Sequence, residues 1–200
     1  MPILDHLEPR AVFSCFEQLC AIPHGSGNTK AISDYLVRFA AEHQLRCIQD
    51  AHNNVIIFAP GTPGYETAAP VILQGHMDMV CETAPDCTKD MAREGLDLFV
   101  DGDTIGARGT TLGGDDGIAV AMALAILAAD DIPHPPLEVV ITVDEETGML
   151  GAADSVEFHY SPHPLFTLPT DNGLRHAIES PAPGIPANFP TPIKKIGDPI

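Results

Sequence analysis

Three short stretches hold side chains that could do chemistry together. They are His76-Met77-Asp78, the glycine-flanked pair Asp115-Asp116, and the triplet Asp144-Glu145-Glu146. In the first, a His and an Asp two residues apart at the end of an apolar strand point to the same side. The Asp can orient the ring while the other ring nitrogen binds a metal; the plainer reading is a polar loop. In the second, Asp115 or Asp116 sits where a helix begins, and one of them can serve as its N-cap. A cap needs a single Asp, so the other wants a cation, a donor or open water. Gly113, Gly114 and Gly117 permit close backbone approach, and a carboxylate held there could bridge two metals. In the third, adjacent glutamates diverge, so one can bind a metal while the other accepts a proton from a metal-activated water. Taken alone the triplet would pass for a solvated acidic turn or for dipole-favouring acids at a helix start. One His with several carboxylates suits Zn²⁺, and also Mn²⁺ or Co²⁺.

The elements that must position these clusters are readable from periodicity. Residues 9 to 21 and 30 to 43 have helical apolar spacing, with the turn IPHGSGN between them and Asn28 or Thr29 as the second cap. LRCIQD and NVIIFAP read as strands joined by a turn at Asn53 and Asn54, and VILQG and LEVVITV as buried strands. LDLFVDGDTIGA reads as strand, turn and strand, and GIAVAMALAILAAD as a helix apolar nearly all round, hence buried. Alternating strands and helices predict an α/β fold, a mixed central sheet with helices on both faces. In such sheets sites gather beyond the carboxyl ends of strands, where all three clusters fall.

The 200 residues suit one domain plus a tail: residues 1–153 form the domain, and 154–200 hold 9 of the 19 prolines and read as extended or disordered. The net charge of −18, from 28 acids and 10 bases, argues against nucleic acid and anionic membranes as partners. No signal peptide and no apolar run of about 20 residues is expected, so neither is a membrane span. Five cysteines without a C-x-x-C pair predict buried thiols in a reducing, cytoplasmic setting. Cys81 lies near the first cluster, but nothing in its pattern marks it as catalytic.

The segments FEQLCAIPHGSGN, VILQGHMDMVCE, IGARGTTLGGDDGIAVAMALAIL and PLEVVITVDEETGMLGA together resemble the aminoacyl-histidine dipeptidases, also called cytosolic non-specific dipeptidases, of the M20 metallopeptidase family. The resemblance covers roughly residues 8 to 153 and implies the catalytic part of a zinc-peptidase-like domain. It implies two divalent metal ions, Zn²⁺ before Mn²⁺ or Co²⁺, with His76 a ligand of one, Asp115 bridging both and Glu146 a ligand of the second. Asp78 would orient His76, and Glu145 would be the general base. Asp116 stands where the family often has Asn and receives no role. The implied reaction is hydrolysis of dipeptides, Xaa-His and broader, and the resemblance leaves open a homodimer of the full-length family form.

Family members are longer, with a further carboxylate and a last histidine ligand. Asp171 falls near the expected carboxylate without matching neighbours, and His159, His163 and His176 match no family histidine. The expectation is therefore metal-dependent dipeptide hydrolysis by a truncated chain, whose half-written site should hold metal weakly and whose activity the missing ligands leave open. The alternatives are an inactive fragment that binds at most a metal or a partner, and a related M20 amidase or deacylase.

Overall fold

In the computed structural model the described residues are 2–154 and 165–167. They all belong to one compact unit, Met1–Thr170. Two helices open the chain, α1 (Arg10–Cys20) and α2 (Lys30–Glu42), followed by strands β1 (Arg46–Gln49), β2 (Val55–Ala59) and β3 (Val71–His76). A separate hairpin, β4 (Leu98–Asp101) and β5 (Thr104–Ala107), precedes α3 (Gly114–Leu127), β6 (Leu137–Thr142), the short α4 (Leu150–Asp154) and β7 (Leu165–Thr167). Five strands form one sheet in the order β1-β2-β6-β3-β7. The β1–β2 and β2–β6 pairs are antiparallel, and β3 is parallel to both β6 and β7. The sheet is mixed, as the sequence predicts, with LEVVITV at its centre. β7 lies inside the stretch expected as tail; Asp171, His159, His163 and His176 lie outside the described residues.

The alternation of each strand decides which face is buried. Leu73, Val139, Ile141, Val55 and Ile57 share one face through the strand registers, and all are buried. Against them pack Phe16 and Leu19 of α1, Ile32 and Leu36 of α2, and Val120 and Leu124 of α3. Each such side chain removed from water contributes about 1.5–3 kcal/mol, which makes this face the main source of stability. The opposite face carries Ile48, 45% exposed, beside half-buried Ile56, Phe58 and Val140. Helices on both faces were the expectation; among the described residues α1, α2 and α3 all pack on one. No described helix is long and apolar enough to cross a membrane.

Two local expectations change. α2 begins after Thr29, but neither Thr29 nor Asn28 caps it through a side chain; Asn28 instead donates its amide to the Ala92 carbonyl. α3 is buried along most of its length, yet Met122 is 39% exposed.

The Asn53–Asn54 turn does more than join two strands. Asn54 is 1% exposed; its Oδ1 accepts the Val143 N–H, and its Nδ2 donates to Asp50 Oδ2 and to the Gly151 carbonyl. It ties β2 to both sides of the acidic turn after β6. Asn54→Ala strands the buried Val143 N–H, so we expect a loss of about 1–3 kcal/mol in urea unfolding. A loss below about 0.5 kcal/mol would mean that water replaces the amide there.

Candidate metal centre

The site follows from the parallel pairing of β3 and β6, which sets His76 opposite Thr142. Both strands therefore end side by side, and the residues that continue them are neighbours. β3 runs on into Met77 and Asp78, with the Met77 N–H held by the Thr142 carbonyl. β6 runs on into Asp144, Glu145 and Glu146. The amino end of α3 delivers Asp115 and Asp116 to the same place, since the parallel crossover from β3 to β6 passes through that helix.

His76 is 6% exposed and central. Its Nδ1 lies 3.0 Å from the Asp78 carbonyl oxygen and 3.4 Å from Asp78 Oδ1. The backbone oxygen is thus the nearer acceptor, and an Nδ1–H donated there leaves Nε2 as the lone-pair nitrogen facing the site. Nε2 is 3.3 Å from Asp115 Oδ1 and 3.9 Å from Glu145 Oε2. Donors bound to one tetrahedral ion at about 2.0–2.2 Å sit about 3.4 Å apart, so the His76–Asp115 pair has the spacing of two ligands of one ion. Donor atoms of His76, Glu145 and Glu146 also lie within 4.8 Å of one another; Asp115 is outside that three-donor group. A mixed set of imidazole and carboxylates fits Zn²⁺, Mn²⁺ or Co²⁺. The histidine is buried, while Asp115 and Glu146 are exposed at the rim and Glu145 lies between.

Asp78 is the hub beneath this set. It is 1% exposed. Its carboxylate accepts the Ser26 hydroxyl at 2.7 Å and the backbone N–H groups of Glu145 at 3.1 Å and Glu146 at 3.4 Å. It therefore orients the histidine and the two glutamates together. Burial by itself would raise the Asp78 pKa, but hydrogen bonds from His76, Ser26 and the Glu145 N–H outweigh it and hold the carboxyl below its ordinary value. Burial opposes charging of His76 too, yet the Asp78, Asp116 and Glu145 carboxylates push its pKa up to about 9. Burial raises Glu146, aided by its acidic neighbours Glu145, Asp115 and Asp78.

The α3 entry is not a simple N-cap. Gly113 takes the left-handed conformation at φ 67°, no side chain caps the helix, and Asp115 and Asp116 both have non-helical dihedrals. Asp116 turns inward instead: it is 3% exposed and its Oδ2 accepts the His76 N–H at 3.2 Å. A Cβ on Gly75 would lie 2.6 Å from that oxygen, so only glycine on β3 admits the carboxylate. Asp116 Oδ1 has no hydrogen-bond partner among the described residues, and burial pushes the group up to about 7.

Residues 72–181 match peptidase family M20/M25/M40. The chain belongs to this family. It is 40% identical over 152 residues to the cytosol non-specific dipeptidase of Escherichia coli (strain K12), a match covering 76% of this chain and 31% of that protein. The crystal structure of aminoacylhistidine dipeptidase from Vibrio alginolyticus matches with a TM-score of 0.79 and 37% identity, over 84% of this chain and 34% of that one. A Staphylococcus aureus tripeptidase structure matches with a TM-score of 0.60 and 26% identity, over 74% of this chain and 40% of that one. The M20 chain thus spans about a third of the length of the dipeptidases it matches.

Of the residues singled out in the sequence, His76, Asp78, Asp115, Glu145 and Glu146 all converge on this one place. Ser26, Asp144 and Asn54 were legible only as turn or spare polar residues. Their partners lie 52, 117 and 89 positions away, and no local pattern encodes such pairs.

Proposed function

We propose that this M20 chain carries the catalytic centre of a metal-dependent dipeptidase, acting on unblocked dipeptides including those that end in histidine. The observation that carries this reading is the convergence of His76, Asp115, Glu145 and Glu146 beyond the parallel ends of β3 and β6. Similarity to dipeptidases supports the substrate class.

His76, Asp115 and Glu146 would hold two divalent ions, Zn²⁺ first, which supply a water acidic enough to ionise near neutral pH and polarise the scissile carbonyl. Glu145 is the base. Its side chain is 34% exposed, open to the site yet within 3.9 Å of the His76 ring. It takes the proton of the attacking water and returns one to the leaving amine. Asp78 keeps the His76 ring in one orientation and fixes the backbone of the two glutamates, so the donor set is in place before substrate arrives. The cytosol is the proposed compartment, in line with free thiols at Cys15, Cys20, Cys47, Cys81 and Cys87. Charge of −18 sets anionic nucleic acid and membranes aside as partners.

The test strips the chain with a chelator, restores Zn²⁺ or Mn²⁺, and follows cleavage of a panel of free dipeptides and N-acylated amino acids. We expect cleavage of free dipeptides that falls at least about 100-fold with chelator and returns with metal. Cleavage of the acylated compounds alone would identify a deacylase. Absence of any chelator-sensitive dipeptide cleavage would overturn the dipeptidase reading.

A further inference from the structure

The segment His24–Gly27 reads in the sequence as a turn between two helices. We infer that it is a positioning strap of the metal centre, with Ser26 as its working residue. The inference rests on the reading of that centre given above.

The strap runs beside the continuation of β3. Gly25 forms a parallel bridge with Met79, the Met79 N–H donates to the His24 carbonyl at 3.1 Å, and the Ser26 N–H donates to the Met79 carbonyl at 3.3 Å. From this track two bonds cross to the site. Ser26 Oγ donates to Asp78 Oδ2 at 2.7 Å, and the Gly27 N–H donates to Asp144 Oδ1 at 2.6 Å. The strap therefore touches both arms that carry donors: the one that orients His76 and the one that presents Glu145 and Glu146.

Each bond has a structural consequence. Of the donors to Asp78 Oδ2, the Ser26 hydroxyl is the short one, and the Glu146 N–H is at 3.4 Å. Without the hydroxyl, a carboxylate buried at 1% exposure keeps that oxygen on one long bond and turns to improve it. Turning shifts the backbone of the glutamates directly, and it disturbs the His76 ring through the Asp78 residue, whose carbonyl holds Nδ1 at 3.0 Å and whose carboxylate lies 3.4 Å from it. Asp144 has φ 54°, a left-handed conformation that costs a non-glycine residue energy. The Gly27 N–H on its carboxylate helps hold that bend, which aims the two glutamates. Groups one layer behind the ligands tune metal affinity in this manner, typically by about 10–100-fold.

The experiment titrates the metal-free chain with Co²⁺ and reads visible absorption, whose bands report ligand geometry, alongside thermal melting. We expect Ser26→Ala to bind Co²⁺ about 10-fold or more weakly, with altered bands. Its melting temperature should fall by about 2–6 °C, the cost of one lost hydrogen bond to a buried carboxylate, with the cooperative transition kept. Ser26→Thr, which keeps the hydroxyl, should return affinity to within about 3-fold and restore the spectrum. Ser26→Ala with wild-type affinity and bands would overturn the strap while leaving the centre standing. Weaker binding that Ser26→Thr does not restore, or that comes with a collapse in melting temperature, would make Ser26 structural and overturn it too. Failure of the wild-type chain to bind Co²⁺ would overturn the centre itself and the strap with it.

Discussion

Glu145→Gln is expected to lower the metal-supported rate of dipeptide cleavage by about 10²–10⁴-fold while leaving metal bound. The amide has the size of the carboxylate and its oxygen can still accept a hydrogen bond. It cannot take a proton from water near neutral pH, so the step that makes hydroxide is lost. The backbone around it does not depend on the side chain: the Glu145 N–H stays on Asp78 Oδ1. Metal content, measured beside the rate, should therefore stay within a few-fold of wild type. Glu146→Gln should do the reverse, since a neutral amide is a weaker metal donor than a carboxylate, and excess metal should recover part of its activity. The two glutamates are adjacent and both lie near His76, so this contrast assigns their roles. A Glu145→Gln chain that keeps more than about a tenth of the wild-type rate would place the base elsewhere.

The metal-free chain should lose stability as pH rises from about 6 to 9, and a divalent ion should abolish that loss. Burial disfavours the imidazolium of His76, but Asp78, Asp116 and Glu145 overcome it and lift the folded pKa to about 9. An unfolded histidine titrates near 6.5, about 2.5 units lower, so its contribution is complete below that pH and is lost as pH climbs through 9. The loss is on the order of 3 kcal/mol. Asp116 acts in the same direction. Burial raises it to about 7, so the fold keeps a proton that the unfolded chain releases near pH 4, and its share of the loss falls between about pH 4 and 7, mostly below the window set by His76. The two effects share one pair of charges and do not add. Thermal melting in chelator should fall by roughly 6–12 °C between pH 6 and 9. With Zn²⁺ or Mn²⁺ the fall should vanish, because the ion supplies the positive charge that the proton gave. A chelated chain whose melting temperature is flat or rises over that range would show that the carboxylates around His76 are relaxed and solvated.

The elements of the fold were plain in the chain because each rests on local chemistry. Apolar spacing marks α1 and α2, β-branched runs mark β2, β3 and β6, and Asn53 with Asn54 marks the turn that joins β1 to β2. The polar clusters were visible for the same reason, since each interrupts an apolar run. Less visible was how α3 begins. GGDDG looks like a helix start with one Asp to spare, yet neither Asp caps it, and Asp116 faces inward to the His76 N–H. A cap is a local preference worth about 1 kcal/mol, and the space above Gly75 decides against it. Placement of α1, α2 and α3 on one face of the sheet among the described residues was hidden as well, because periodicity shows that a helix has an apolar side and not which layer receives it.

By itself the sequence determined the inventory: a mixed α/β fold, an M20 family likeness, and a histidine and acids at strand and helix ends. Only the tertiary structure decided what those groups do to one another. The parallel register of β3 and β6 sets His76 beside the acidic turn, and one buried residue, Asp78, gathers donors from His76 on its carbonyl and from Ser26, Glu145 and Glu146 on its carboxylate. The physical reason is range. Propensity and turn chemistry act over a few residues and are written where they act, whereas a hydrogen bond spanning 52 or 117 positions exists only once the sheet has closed the distance.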